Sequence, residues 1–282
     1  IENLREKRQR AIPTFSKKLD EVLGLKGLQI GAITELIGLA GSGKTQLCMQ
    51  LCASAQIPTS LGGLSGQVVY IDTDSNFSLG RYKEILTASL KKCRLRELAK
   101  GLDNPPMVLL QTQIDAALKK THCINAFGVE NFCACLQQMS TYLSERPGVS
   151  IKLTLIDSLV APFKNSVSPM KRTGLLYSLM AELQTLAVEH KFAILLTNEM
   201  STRVGVPRGP GLVVPARVVG AMGDLWAHRS NVRIMLAQDS ETGQRHAVCL
   251  KASIYMRYVH TRDTLVCRSH RLWVYAELEM RK

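Results

Sequence analysis

The chain has 282 residues, of which 46% are hydrophobic and 21% charged, a composition that suits a globular α/β protein. No run of about 18 apolar residues is present, so no membrane-spanning helix is expected, and the charged start from Glu2 to Arg8 lacks the apolar stretch of a secretory signal. A formal net charge of +13 favours a polyanionic partner, with nucleic acid ahead of an anionic membrane.

In chain order, residues 1–13 read as a basic arm or linker, with Arg5 to Arg10 as a short import-type patch, and residues 14–282 as one folded domain. Leu19, Val22 and Leu23 form the apolar side of a short helix that stops at Gly24. Ala32 to Ile37 is an apolar strand leading straight into a glycine loop. After Thr45, apolar residues at 47, 48, 51, 52 and 55 keep a helical period until Pro58. Gly62, Gly63 and Gly66 mark a turn before the strand Val68 to Ile71, which ends at Asp72. A helix is expected over 80–100, then, past Pro105-Pro106, a strand from Met107 to Leu110. Residues 129–144 suit another helix, and Leu153 to Ile156 a buried strand capped by Asp157. Leu175, Leu176, Leu179, Met180, Leu183 and Leu186 make a helical stripe running into the strand Phe192 to Leu196. From Val232 onward, alternating residues between turns predict hairpins. The fold class expected is α/β: a mostly parallel, twisted sheet with helices on both faces and a C-terminal β-rich extension.

The chemistry concentrates at Gly38-Leu39-Ala40-Gly41-Ser42-Gly43-Lys44-Thr45. Glycines let backbone N–H groups converge on phosphate oxygens at a helix N-terminus, where the helix dipole also favours an anion. Lys44 reaches the β- and γ-phosphates in this pattern and the Thr45 hydroxyl binds Mg²⁺, so ATP with magnesium is the expected ligand. Asp157, at the end of an apolar strand, suits the second magnesium ligand. Tyr70-Ile71-Asp72-Thr73-Asp74 also runs into carboxylates, one of which can orient or deprotonate an attacking water. The eight cysteines lack zinc-ligand spacing, which predicts free thiols in a reducing compartment, cytosol or nucleus.

These motifs resemble the RecA/RadA group of recombinases over essentially the whole chain. The matching residues include Leu19-Asp20, Leu23-Gly24, Gln46 to Leu51, Gln56-Ile57-Pro58, Tyr70 to Thr73, Phe77, Arg81, Leu195 to Asn198 and Gly223-x-x-Trp226-x-His228. Tyr142 to Glu145, Ala161-Pro162-Phe163 and Gly223 to Trp226 are similar to the C-type branch of its eukaryotic paralogues. The resemblance implies that residues 14–282 are a RecA-like P-loop ATPase core. It places Gly38, Gly41, Ser42, Gly43, Lys44, Thr45, Gln46 and Arg81 around ATP, with Arg81 stacked on the adenine. Thr45 and Asp157 hold magnesium, Lys44, Asp74 and Glu199 act in hydrolysis, and His228 senses nucleotide across a subunit interface. Two DNA loops are implied: one from about 164 to 174 with Lys164, Lys171 and Arg172, and one from about 201 to 222 with Arg203, Arg208 and Arg217.

Several positions depart from the family pattern. Asp74 stands where the family has a catalytic glutamate, Ser75 where it has glycine, and Glu199 where it has a glutamine facing the γ-phosphate. An ionised Glu199 cannot donate to phosphate and repels it. An Asp-Ser-Pro segment that covers a neighbour's ATP is not evident around Lys251 to Ser253, and the phenylalanine motif linking successive subunits is not found in residues 1–13. The expectation is therefore slow, DNA-stimulated hydrolysis in a nuclear, heteromeric assembly with other RecA-like paralogues. That assembly would support a recombinase filament on single-stranded DNA, with no membrane partner. An autonomous strand-exchange ATPase and a non-hydrolysing scaffold with a structural nucleotide are the alternatives.

Overall fold

A computed structural model describes residues 11–23, 27–99, 107–146, 148–164, 168–203, 217–222, 226–239, 243–251 and 264–267. The chain enters through β1 (Ala11–Ile12), turns through α1 (Lys17–Val22) and returns in β2 (Leu28–Gln29), which pairs antiparallel with β1. Ser16 caps α1 by accepting from Leu19 N, and Leu19, Val22 and Leu23 are buried as their spacing predicts. Ile12 is fully buried in the same core, so the folded part includes Ala11 and Ile12, ahead of the boundary at residue 14 expected from charge.

Next come β3 (Ile33–Gly38), α2 (Lys44–Gln56), β4 (Gln67–Asp72), α3 (Leu79–Leu98), α4 (Met107–Lys119), β5 (Thr121–Asn125), α5 (Gly128–Ser144) and β6 (Ile151–Asp157). They are followed by α6 (Pro169–Glu189), β7 (Ala193–Arg203), β8 (Arg217–Gly220), β9 (Val232–Gln238), β10 (Arg245–Lys251) and β11 (Thr264–Cys267). The large sheet runs β11-β10-β9-β3-β7-β6-β4-β5, with β8 paired to β7. The six strands from β9 to β5 are mutually parallel, while β8, β10 and β11 add antiparallel pairs. This is the α/β class expected, including the β-rich C-terminal part.

Successive strand residues face opposite sides. Val68, Tyr70, Leu153 and Leu155 join one core with α2, α3 and α4, whereas Val69, Ile71, Ile156 and Leu196 join the other with α5 and α6. Burial on both faces explains why these strands read as continuous apolar runs.

Two expectations need correction. Met107 to Leu110 is the first turn of α4, not a strand. Leu110, Ile114 and Ala117 are buried, a helical spacing that four apolar residues in a row do not reveal. The strand at this place in the sheet is β5, a largely exposed edge segment whose residues carry no apolar run. The first basic loop is also shorter than expected, because α6 already starts at Pro169. Proline suits a first helical position, so Lys171 and Arg172 lie on helix.

Candidate nucleotide site

The carboxyl end of β3 lies between β7 and β9, while the next strand in sequence, β4, lies beyond β7 and β6. Such a break in strand order leaves a crevice at the carboxyl ends of the strands, where α/β proteins bind ligands. The glycine loop fills it. Gly41 and Gly43 adopt φ of +77° and +97°, conformations that disfavour any side chain. At Gly38 a Cβ would lie 2.5 Å from both Leu236 O and Ser42 Oγ, so the loop closes on β9 only with glycine there. The bond from Leu47 N to Gly43 O (2.9 Å) is the earliest of the helical i to i−4 bonds in α2. The N–H groups of Lys44, Thr45 and Gln46 therefore precede the helical ladder and can take phosphate oxygens. Lys44 Nζ donates to Gly38 O at 2.8 Å and Leu39 O at 3.0 Å. Burial lowers the Lys44 pKa from its ordinary value, while the carboxylates of Asp157 and Glu199 oppose that shift.

Asp157, 2% exposed, collects three hydroxyls. Thr45 Oγ1 and Tyr70 OH each donate to its Oδ2 at 2.8 Å, and Thr197 Oγ1 donates to Oδ1 at 2.6 Å. A buried carboxylate beside a threonine hydroxyl at the phosphate loop is an all-oxygen donor pair, the kind magnesium takes together with substrate phosphates and water. These residues fit the metal, and when bound it would supply Lewis-acid polarisation of the terminal phosphates. Burial, then the Asp157 charge, raises the Tyr70 pKa far above its ordinary value, so Tyr70 stays a hydroxyl donor. Tyr70 and Thr197 fall in stretches that match the family pattern, but neither was assigned a role at the site from sequence. The signal was there for Tyr70, since a phenol in a buried strand needs a partner.

The carboxylates after β4 divide their work. Asp72 Oδ1 accepts from Asp74 N and Asn76 N at 3.1 Å each, and Oδ2 from Phe77 N at 2.9 Å, so Asp72 shapes the turn. Asp74 is exposed at that turn, next to Ser75, whose φ of +56° is a conformation that glycine adopts without strain. Arg81, at the start of α3, donates from Nε to Gln46 Oε1 at 2.8 Å and pairs with Glu84 at 2.7 Å, which brings two of the residues expected around ATP together. Glu199 lies opposite Gly38 in the β3–β7 register, and its Oε1 is 3.1 Å from Lys164 Nζ.

Of the expected DNA contacts, Lys171 is exposed and Arg172 half-buried on α6. Arg203 and Arg217 are direct register partners at the far end of the β7–β8 ribbon. Arg208 lies outside the described residues. His228 is exposed on a turn whose carbonyls at Ala227, His228 and Ser230 all accept from Lys251 Nζ, at 3.1, 3.0 and 2.6 Å. Sequence reasoning also missed Glu35. It is fully buried in β3, accepts from Asn198 Nδ2 at 2.6 Å and lies 2.8 Å from Arg233 Nε as an ion pair without a well-directed hydrogen bond. A charge inside an apolar strand requires such partners, and that requirement was the readable clue.

At the sheet edge, β5 pairs with β4 among the described residues, and β5 and α5 flank a groove of about 540 Å³. Ile124, Cys135, Met139 and Tyr142 line it, and Ile124 and Phe127 are well exposed.

Fold and site together define a RecA-like P-loop protein. The Rad51 family model matches residues 5–92 and 109–256, and the chain belongs to that family. It is 29% identical over 248 residues to the DNA repair protein RAD51 homolog 3 of Cricetulus griseus, covering 88% of this chain and 64% of that one. Against RAD51 homolog 3 of Dictyostelium discoideum the identity is 28% over 232 residues, covering 80% and 56%. The DNA repair and recombination protein RadA of Aeropyrum pernix is 31% identical over 229 residues, covering 80% of this chain and 62% of RadA. The chain thus spans less than two thirds of the length of each of these three relatives.

Proposed function

We propose that this chain is an ATP- and magnesium-binding recombinase paralogue that acts in homologous recombination and DNA double-strand break repair. It works in the nucleus within a heteromeric complex of RecA-like paralogues and promotes assembly of a recombinase filament on single-stranded DNA. Its ATP hydrolysis is slow and DNA-stimulated. The observation that carries the reading is the meeting of Thr45 and Asp157 at 2.8 Å beside Lys44, a magnesium-phosphate cradle built from two strands and a helix. The relatives' names as DNA repair and recombination proteins supply the biological setting. Exposed Asp74 and the acid at 199 support slow turnover, because neither holds a water or donates to phosphate as a longer or neutral side chain would. The side of β5 that pairs with no other strand among the described residues, beside the groove, suits a segment of a neighbouring subunit that adds as a strand and seats a side chain.

Fluorescent-nucleotide titration tests the central claim. Wild type should bind ATP in a magnesium-dependent way, and Lys44→Ala should weaken binding at least about tenfold while losing partner assembly. Steady-state turnover should stay well below about 1 s⁻¹ and rise with single-stranded DNA. Absence of ATP binding, or turnover above that rate without DNA, overturns the reading.

A further inference from the structure

Lys164 is singled out by its position. It directly follows the one-turn helix Ala161–Phe163, and its backbone N–H donates to Ala161 O at 3.2 Å. Phe163 anchors that turn, 2% exposed and edge-to-face with Phe132 at 5.8 Å. The Lys164 backbone is therefore held against the core, and its ammonium reaches back to Glu199 Oε1 at 3.1 Å. Glu199 is the β7 residue aligned with Gly38, the first residue of the phosphate loop. Its charge is felt by Lys44, as is that of Asp157. Lys164 thus offsets the Glu199 charge that Lys44 feels.

The pair is half-exposed, with side-chain exposures of 48% and 38%, so its contribution to stability is small. Its consequence falls on the ligand. In this loop pattern Lys44 reaches the last phosphate of a triphosphate, and an unpaired Glu199 charge near Lys44 would repel that phosphate. A diphosphate lacks it.

We propose that Lys164 belongs to the nucleotide site, where its pairing with Glu199 makes the acidic position tolerable to a terminal phosphate and sets the preference for nucleoside triphosphate over diphosphate. The proposal rests on the ATP reading above and assigns Lys164 a role other than contact with DNA.

The test is titration of the intact protein with fluorescent ATP and ADP analogues in magnesium, without DNA, using variants whose folding is checked by thermal melting. Lys164→Met should weaken ATP about 3- to 10-fold and leave ADP within about twofold. Lys164→Arg should bind as wild type. The double variant Lys164→Met/Glu199→Gln should recover the ATP-to-ADP ratio, because the repulsive charge is gone. Glu199→Gln alone should tighten ATP relative to ADP, and it decides the matter should Lys164→Met fail to fold. Parallel changes in ATP and ADP, no change, or no recovery in the double variant overturn the proposal, as does a Lys164→Met defect confined to DNA binding. If wild type binds no ATP, or Lys44→Ala binds it normally, the nucleotide reading falls first, which separates the two failures.

Discussion

Glu35 lies in the middle of β3 with no exposed surface, and its two oxygens are met from strands on either side. Asn198 answers from β7 and Arg233 from β9, beside Gly220 of β8, where a Cβ would come within 2.9 Å of the Arg233 guanidinium. A pair like this adds little net stability, yet removing one member strands the other charge in the interior. Glu35→Ala should therefore lower unfolding free energy by about 3–5 kcal/mol in urea titrations, and Glu35→Ala/Arg233→Met should recover most of it. A cost below about 1 kcal/mol for the single variant would show that Arg233 finds other partners. The motif residues Lys44, Thr45 and Asp157 were legible in the sequence because a glycine loop and an acid at the end of an apolar strand are local patterns. Glu35 was visible as an anomaly without a named partner.

At the scale of elements, the corner where β5 meets α5 carries a titratable contact. His122 has a ring nitrogen 2.8 Å from Gln67 Oε1 and makes an edge-type ring contact with Tyr142, over which Arg146 stacks at 4.5 Å. Burial, then the Arg146 charge, lowers the His122 pKa below its ordinary 6.5. The unfolded chain thus takes up this proton at a pH where the folded one does not. Above about pH 6.5 the group is neutral in both states and contributes nothing, and stability falls as pH drops through that value toward the lower folded one. Denaturation midpoints should decline from pH 7 to 5 more steeply in wild type than in His122→Gln, and equal slopes would rule out this contribution. The same corner shows where element reading fails. Met107 to Leu110 is apolar enough for a strand, but α4 wins because Ile114 and Ala117 continue its buried stripe. The polar residues of β5 become strand only by pairing with β4.

For the whole molecule, the formal charge of +13 is a property of composition, and the fold determines where it acts. The β7–β8 ribbon brings Arg203 opposite Arg217, whereas Lys164 is engaged with Glu199. Replacing both ribbon arginines with alanine should reduce the slope of log affinity against log salt for single-stranded DNA by about 1.4, since each lost phosphate contact removes about 0.7. ATP affinity should not change. An unaltered slope would move the DNA surface elsewhere.

The glycine loop, the residues proposed to hold magnesium, the alternation of strand and helix and the family resemblance were all readable from sequence, because glycine conformation, strand burial and helical periodicity are local requirements. Partnerships were not. Thr45 meets Asp157 across 112 residues, Glu35 meets Asn198 across 163, and Lys164 meets Glu199 across 35. Those distances close only once the order β9-β3-β7-β6-β4 sets which strand ends stand side by side, and no local pattern encodes that order.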